Sequence, residues 1–123
     1  MIRTILLIGL GGGIGSIFRY LTSVLVARYY PNSFPLATFL TNILGCFLIG
    51  IFMGFLAKSQ FGSQDLRWLL VTGFCGGYTT FSAFGYENIN LMQNGNFTLA
   101  FGYIALSVIF GLFAVWLGLF LTR

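Results

Sequence analysis

Hydrophobic residues fall along this chain in four long runs, separated by short stretches of polar and turn-forming residues. The runs cover about 4–27, 36–57, 68–92 and 97–122, and each holds at most one charged residue. Because about 20 helical residues cross the roughly 30 Å apolar core of a bilayer, each run is long enough for one span. The pattern predicts an all-α membrane protein in which residues 1–123 form a single domain of four transmembrane helices.

The connections between the runs are short, and none is typical of a linker to a second domain. Pro31 and Pro35 follow the first run, a polar stretch over 58–65 follows the second, and the turn-forming sequence QNGN at 93–96 follows the third. Basic residues are unevenly divided between the two sides that four spans would create. One side carries Arg3, Lys58, Arg67 and Arg123, and the other carries Arg28, together with Arg19 if its side chain reaches that interface. This favours cytoplasmic termini, although such small counts leave insertion in both orientations open.

Composition excludes several classes of function. Charged residues make up 7% of the chain, whereas a soluble domain carries about 25%. The six basic residues form no cluster, so we expect no nucleic-acid partner. The chain has no histidine, and Cys46 and Cys75 stand alone in apolar surroundings, which argues against a zinc or haem site and against an enzyme. Both cysteines are expected to be small packing residues.

The sequence GFCGGYTTFSAF over 73–84 interrupts the third run with residues that disfavour a helix. Gly costs about 1 kcal/mol relative to Ala in a helix, and Thr loses side-chain freedom there. In hydrocarbon, a broken helix leaves backbone N–H and C=O groups unpaired, which is tolerated only where the break is buried in protein or lines a wet cavity. We therefore expect the third helix to be broken at mid-membrane, with an ion or substrate site beside the break.

Hydroxyl and aromatic side chains adjoin this predicted break. Thr80 and Ser82 carry hydroxyls, and Phe81 and Phe84 are three residues apart, so that they share one face of a helix. The edge of an aromatic ring is electropositive, so the two rings could line a path for an anion. With 15 phenylalanines in the chain, packing or lipid contact is the alternative for each of them.

Three polar positions within the other spans are further candidates, each with a structural alternative. Arg19 is a cation at the mouth of an anion pathway or an arginine that reaches to the membrane interface. Asn42 offers amide donors to an anion or an interhelical hydrogen bond. Tyr103 and Ser107 are four residues apart and form a polar stripe on one helix face. The stripe either lines a path for an ion or forms interhelical hydrogen bonds. The next position at this spacing is Gly111, which has no hydroxyl.

Small residues recur at four-residue spacing, which is typical of closely packed membrane helices. The pairs are Gly9 with Gly13, Gly11 with Gly15, Gly50 with Gly54, and Gly73 with Gly77. With 17 glycines in the chain, this spacing favours an oligomer of tightly packed helices.

These residues together resemble the Fluc/CrcB family of fluoride channels of bacterial inner membranes. The resemblance covers the whole length and depends on three blocks in order: GGIGSIFRY at 12–20, TFLTNILG at 38–45, and GFCGGYTTFSAF at 73–84. It implies an antiparallel homodimer in the lipid bilayer, with dual topology, that exports fluoride passively and so relieves fluoride toxicity. It also implies a structural Na⁺ at the dimer interface, bound by the backbone carbonyls of Gly76 and Thr79.

The same resemblance assigns roles to the candidate residues. Phe81 and Phe84 match the family's pore phenylalanines, Asn42 its pore asparagine and Arg19 its vestibule arginine. Tyr103 and Ser107 match its polar track, and members often carry a hydroxyl where this chain has Gly111. Thr80 and Ser82 belong to the same expected anion pathway.

One other transporter class and one non-transporting class compete with this interpretation. A small multidrug-resistance-type carrier is also a dimer of four-helix subunits, but it exchanges protons through a carboxylate in its first helix, where this chain has Arg19. The acidic residue within a predicted span is Glu87, in the third, near the end where it could be solvated. A membrane subunit or assembly factor would show no ion flux on its own.

Overall fold

Helices are the regular secondary structure of residues 1–59 and 64–123, which are the residues that the computed structural model describes. Helix α1 spans Ile2–Tyr29 and α2 spans Leu36–Lys58. A third segment then comprises a short α3 (Gln64–Leu66), a π-helix (Arg67–Cys75) and a short α4 (Gly76–Tyr78). It continues after two extended residues as α5 (Phe81–Gln93), and α6 (Phe97–Leu121) ends the fold. The loop predicted over 58–65 lies partly outside the described residues.

Three helices of the described chain, α1, α2 and α6, are each long and apolar enough to cross a bilayer. The third segment differs because its helix is interrupted, and the 13 residues of α5 extend only about 20 Å at 1.5 Å per residue. Large hydrophobic side chains such as Leu6, Ile17 and Leu112 are well over half exposed, as expected for residues that face lipid. The fold is therefore a bundle of three continuous helices and one broken helix.

The interruption of the third segment falls on Thr79 and Thr80, and not on the glycines before them. Gly76 and Gly77 are helical, whereas Thr79 (φ −81°, ψ 157°) and Thr80 (φ −150°, ψ 114°) have extended backbone. Extended φ and ψ suit β-branched threonine better than a helix does. The sequence therefore predicted the broken helix, but the position of the break within it depends on the threonines.

Glycines bring α1 against the first half of the third segment. A methyl group on Gly11 would lie 2.9 Å from the Phe74 nitrogen, and one on Gly15 would lie 2.8 Å from the Tyr78 nitrogen. The predicted packing role of this pair is confirmed. The prediction for Gly9 and Gly13 is wrong within this chain, because a methyl group on either would meet nothing within 4 Å.

The other two predicted glycine pairs also lie at close helix contacts. Gly73 and Gly77 pack on Gly11 and Gly12 of α1. Gly50 lies against α6, where a methyl group would be 3.1 Å from the Cα of Gly118. Close approach of this kind needs residues without side chains, so these positions fix which helices are neighbours.

Helix α5 ends in a turn that contains Gly95, a glycine with a positive φ. Gly95 has φ +80°, and the N–H groups of Gly95 and Asn96 donate to the carbonyls of Met92 (3.0 Å) and Leu91 (2.8 Å). This is the Schellman pattern, which pairs the last carbonyls of a helix. The sharp turn brings α6 back along α5, and it places Leu91, Ala100 and Tyr103 in one buried cluster.

Candidate functional site

Asn42 of α2 lies directly opposite the break in the third segment. Its Oδ1 accepts a 2.7 Å hydrogen bond from the N–H of Thr80, and its Nδ2 donates a 3.1 Å bond to the carbonyl of the same residue. A side-chain amide thus pairs the Thr80 N–H, which no helix pairs, and adds a hydrogen bond to the carbonyl of the same residue. Of the two interpretations for Asn42, the interhelical bond is present, and one of the two Nδ2 hydrogens is left for another acceptor.

The threonine hydroxyls complete the hydrogen bonding of the break. Thr80 is the N-cap of α5, because its Oγ1 accepts from the N–H of Ala83 at 3.2 Å, and it also lies 3.3 Å from the Ser82 hydroxyl. Thr79 Oγ1 donates back to the Cys75 carbonyl at 2.8 Å. Side chains of the break therefore replace several bonds that a continuous helix would make.

Two backbone carbonyls lose their usual helical donors at this point. In a continuous helix, the N–H of Thr80 would donate to Gly76 and that of Ala83 would donate to Thr79. Here Thr80 donates to Asn42 and Ala83 donates to the Thr80 hydroxyl. Gly76 and Thr79 are the pair for which the sequence resemblance implied carbonyl ligands.

Phe81 and Phe84 lie on α5 immediately after the break, with ring centroids 5.8 Å apart. They differ in surroundings. Phe84 is half-buried with its ring 5.0 Å from that of Tyr103 in an edge-on arrangement, whereas the side chain of Phe81 is 84% exposed. Phe84 therefore belongs to the core of this chain, and Phe81 projects away from it.

A cavity of about 420 Å³ opens beside the break, between α2, the third segment and α6. Its walls bring together most of the residues that the sequence singled out, with two cysteines that it did not. The lining residues that concern the site are Asn42, Cys46, Cys75, Gly76, Thr79, Thr80, Phe81, Phe84 and Ser107. Most of this wall is apolar, so a polar ligand there would meet only a few hydrogen-bonding groups.

Ser107 carries a hydroxyl that has no hydrogen-bond partner among the described residues. Its Oγ is buried, and the residue lines the cavity. A buried hydroxyl without a partner is unfavourable and calls for an explanation such as a ligand or an ordered water. Ser107 is thus the candidate whose hydrogen-bonding capacity is left for something else.

Tyr103 does not line this cavity with Ser107. It is fully buried, and its hydroxyl donates to Oε2 of Glu87 at 2.8 Å. Oε1 of Glu87 in turn accepts a 2.5 Å bond from Thr38. Glu87 is therefore part of a buried network that joins α2, α5 and α6, and its carboxylate is bound on both oxygens.

No local sequence pattern predicts this network, because Thr38, Glu87 and Tyr103 belong to three different helices. The Thr41 hydroxyl donates to the Thr38 carbonyl of its own helix at 3.0 Å, whereas the Thr38 hydroxyl donates to Glu87 of α5. Arg19 lies half-buried on α1 and is not part of the cavity wall.

Comparison with known proteins places this architecture in a family. The family model described as CrcB-like protein, Camphor Resistance (CrcB), matches residues 6–119. The chain belongs to the CrcB family.

Relatives in the CrcB family are similar over nearly the whole chain. A fluoride-specific ion channel FluC from Flavobacterium psychrophilum is 53% identical over 121 residues, covering 98% of each protein. Proteins of the same name from Azobacteroides pseudotrichonymphae (45% identical, 100% of this chain and 98% of the relative) and Gloeothece citriformis (46%, 97% and 96%) are also similar. CrcB membership therefore covers all the helices that form the cavity.

Proposed function

We propose that this chain is the subunit of a fluoride-selective channel that lets F⁻ leave the bacterial cytoplasm passively. The observation that carries the proposal is its similarity, from one end to the other, to proteins named fluoride-specific ion channel. The chain is a multi-pass membrane protein, and its cavity lies at a break within the membrane-spanning region. Export is driven by the F⁻ gradient and by the inside-negative membrane potential, with no enzymatic step.

The direction of transport follows from the acid–base chemistry of fluoride. HF is a neutral weak acid that enters the cell through lipid and dissociates in the less acidic cytoplasm. The F⁻ that forms there is a small ion that cannot return through hydrocarbon. A passive pore for F⁻ therefore lowers the cytoplasmic concentration without an energy source.

The cavity wall supports selectivity by dehydration. A small anion that enters it exchanges water for a few donors: the second Nδ2 hydrogen of Asn42 and the unpaired hydroxyl of Ser107. The electropositive ring edges of Phe81 and Phe84 add weak attraction without a full countercharge. Arg19 acts outside the cavity, where it attracts anions toward the path. Tyr103 contributes indirectly, by holding Glu87 and the wall in place.

The functional unit in this proposal is an antiparallel homodimer. The ring of Phe81 is 84% exposed on the single chain, and the cavity beside it is open. A second chain would cover both features and complete the walls of the pore. Its own break would then face the first one.

A structural Na⁺ fits the meeting point of two such breaks. The carbonyls of Gly76 and Thr79 have lost their helical donors, and carbonyl oxygens are suitable ligands for a hard cation. Two chains related by a two-fold axis would supply two pairs of these oxygens. When bound, the ion would neutralise the inward-facing carbonyl dipoles and hold the two breaks together.

Growth of a fluoride-sensitive bacterium tests the function in cells. A strain without its own fluoride exporter is given the wild-type chain or the Phe81→Ile/Phe84→Ile variant, both quantified in the membrane. Wild type is expected to restore growth in medium with fluoride, and the variant is not. Equal sensitivity of cells with wild type and cells with empty vector, at confirmed membrane expression, would contradict the proposal.

A further inference from the structure

The polar stripe on α6 ends at Ser107, because the position one turn further along the helix has no polar side chain. Tyr103 and Ser107 are four residues apart, and the next position at that spacing is Gly111, which is buried and has no side chain. A path that used only α6 side chains would therefore have no donor at the level of Gly111. A hydrogen-bond donor at this level of the wall must therefore come from a neighbouring helix.

A thiol from α2 fills the space beside Gly111. A methyl group placed on Gly111 would lie 3.6 Å from Sγ of Cys46, which is van der Waals contact. Cys46 is four residues from Asn42, so both side chains lie on the same face of α2, and both line the cavity with Ser107. The thiol therefore stands at the level where the α6 stripe lacks a hydroxyl.

This position differs from an ordinary packing site because the cavity already holds an unpaired donor. The Ser107 hydroxyl is buried in the same wall without a partner among the described residues. The S–H group is also a donor, although a weak one. Ser107 and Cys46, on adjacent helices, line one cavity, and a pair of residues with donors suits a small anion that accepts hydrogen bonds.

We propose that the Cys46 thiol replaces the missing hydroxyl at Gly111 and is the donor that follows Ser107 along the anion path. The inference builds on the proposed fluoride conduction and adds a residue that determines its rate. Packing alone would make the side-chain volume at position 46 important. A donor role predicts that a hydrogen-bond donor is needed in this space, whether α2 or α6 supplies it.

Four variants separate the donor role from the packing role. Cys46→Ala removes the thiol, and Cys46→Ser keeps a donor of similar size. Cys46→Ala/Gly111→Ser returns a hydroxyl to the same space from α6, where removal of the sulfur makes room for it. Leu44→Ala is the control, because Leu44 is on the same helix but 47% exposed and outside the cavity wall.

The readout is the initial rate of fluoride efflux from liposomes, per milligram of protein that elutes at the wild-type oligomeric size. Loss of a donor to a charged ligand predicts a fall of about tenfold for Cys46→Ala. Cys46→Ser, the double variant and the control are expected to stay near the wild-type rate. Wild-type efflux in the same series tests the proposed fluoride conduction. Absence of fluoride efflux from the wild type would therefore overturn both that proposal and the donor role of Cys46.

Three other results would overturn this inference alone, given a conducting wild type. These are wild-type efflux from Cys46→Ala, a Cys46→Ser rate as low as that of Cys46→Ala, or a double variant that stays as slow as Cys46→Ala. If Cys46→Ala does not elute at the wild-type size, the comparison of Cys46→Ser with Cys46→Val decides. Val has a similar volume but no donor, so the donor role predicts slow efflux from Cys46→Val and not from Cys46→Ser.

Discussion

The side-chain amide of Asn42 forms two hydrogen bonds with the backbone of Thr80, one to its N–H at 2.7 Å and one from its nitrogen to the Thr80 carbonyl at 3.1 Å. The amide thereby pairs with the extended backbone of Thr80 in the way that the backbone of a neighbouring β-strand would. Without it, the Thr80 N–H would be unpaired, which is costly in an apolar environment. Asn42 therefore both stabilises the break and leaves one N–H in the cavity.

Asn42→Asp is expected to abolish fluoride efflux. The carboxylate can still accept from the Thr80 N–H, but it cannot donate to the Thr80 carbonyl or to an anion, and its charge repels F⁻. Asn42→Leu should also lose efflux and destabilise the protein by about 1–3 kcal/mol, because the Thr80 N–H is left unpaired. Rapid efflux from Asn42→Asp would show that this amide is not part of the conduction path.

Replacement of both phenylalanines beside the break is expected to stop conduction with little loss of folded protein. Phe81→Ile/Phe84→Ile keeps apolar volume but removes the electropositive ring edges. The matched control is Phe101→Ile on α6, since Phe101 is 61% exposed and lies outside the cavity wall. Fluoride efflux from purified variants is the measurement, and unchanged flux in the double variant would rule out a role for the rings.

The Glu87 network is expected to contribute to stability as a unit. Tyr103→Phe and Glu87→Gln should each lower the free energy of unfolding, with a coupling of about 0.5–3 kcal/mol between them, because they share a 2.8 Å bond. Tyr86→Phe is the control, as Tyr86 is 74% exposed on the same helix as Glu87. Chemical denaturation in detergent gives the four values of the cycle, and strict additivity would mean that this bond is not formed.

Gly15→Ala should be far more destabilising than Gly13→Ala, although both lie on α1. The methyl group at position 15 would overlap the backbone of Phe74 and Tyr78, whereas the one at position 13 meets nothing within 4 Å. Overpacking of this kind costs about 1–3 kcal/mol or more. Thermal unfolding of the two purified variants measures the difference, and equal midpoints would contradict the close contact of α1 with the third segment.

Sodium is expected to stabilise the dimer. If the carbonyls of Gly76 and Thr79 bind Na⁺ at the interface, the unfolding midpoint should rise with Na⁺ concentration at constant ionic strength, with N-methylglucamine as the replacement cation. The effect should disappear in any variant that elutes as a monomer. A midpoint independent of Na⁺ would contradict the binding of Na⁺ by these carbonyls.

The helical class and the vicinity of the site could be predicted from the sequence because both depend on local composition. Long apolar runs specify membrane helices, and a Gly-Gly-Tyr-Thr-Thr sequence within one of them predicts a break. The residues at the break were also found, because hydroxyls, an amide and phenylalanines are conspicuous in an apolar chain. These signals are local, and they need no knowledge of which helices are neighbours.

The partners of these residues could not be predicted, because they depend on contacts between distant parts of the chain. Asn42 and Thr80 are 38 residues apart, and Thr38 and Glu87 are 49 apart. The role proposed for Cys46 could not be predicted for the same reason, since a cysteine in an apolar helix is ordinarily a packing residue. Only the approach of α2 to Gly111 places its thiol in the wall of the cavity.

Efflux from liposomes that contain the purified protein tests the central claim most directly. Vesicles loaded with potassium fluoride or potassium chloride receive valinomycin, so that K⁺ movement balances the charge of any anion that leaves. The account predicts rapid release of fluoride and no release of chloride from matched vesicles. Absence of fluoride release, or release of both anions at similar rates, would contradict a fluoride-selective channel.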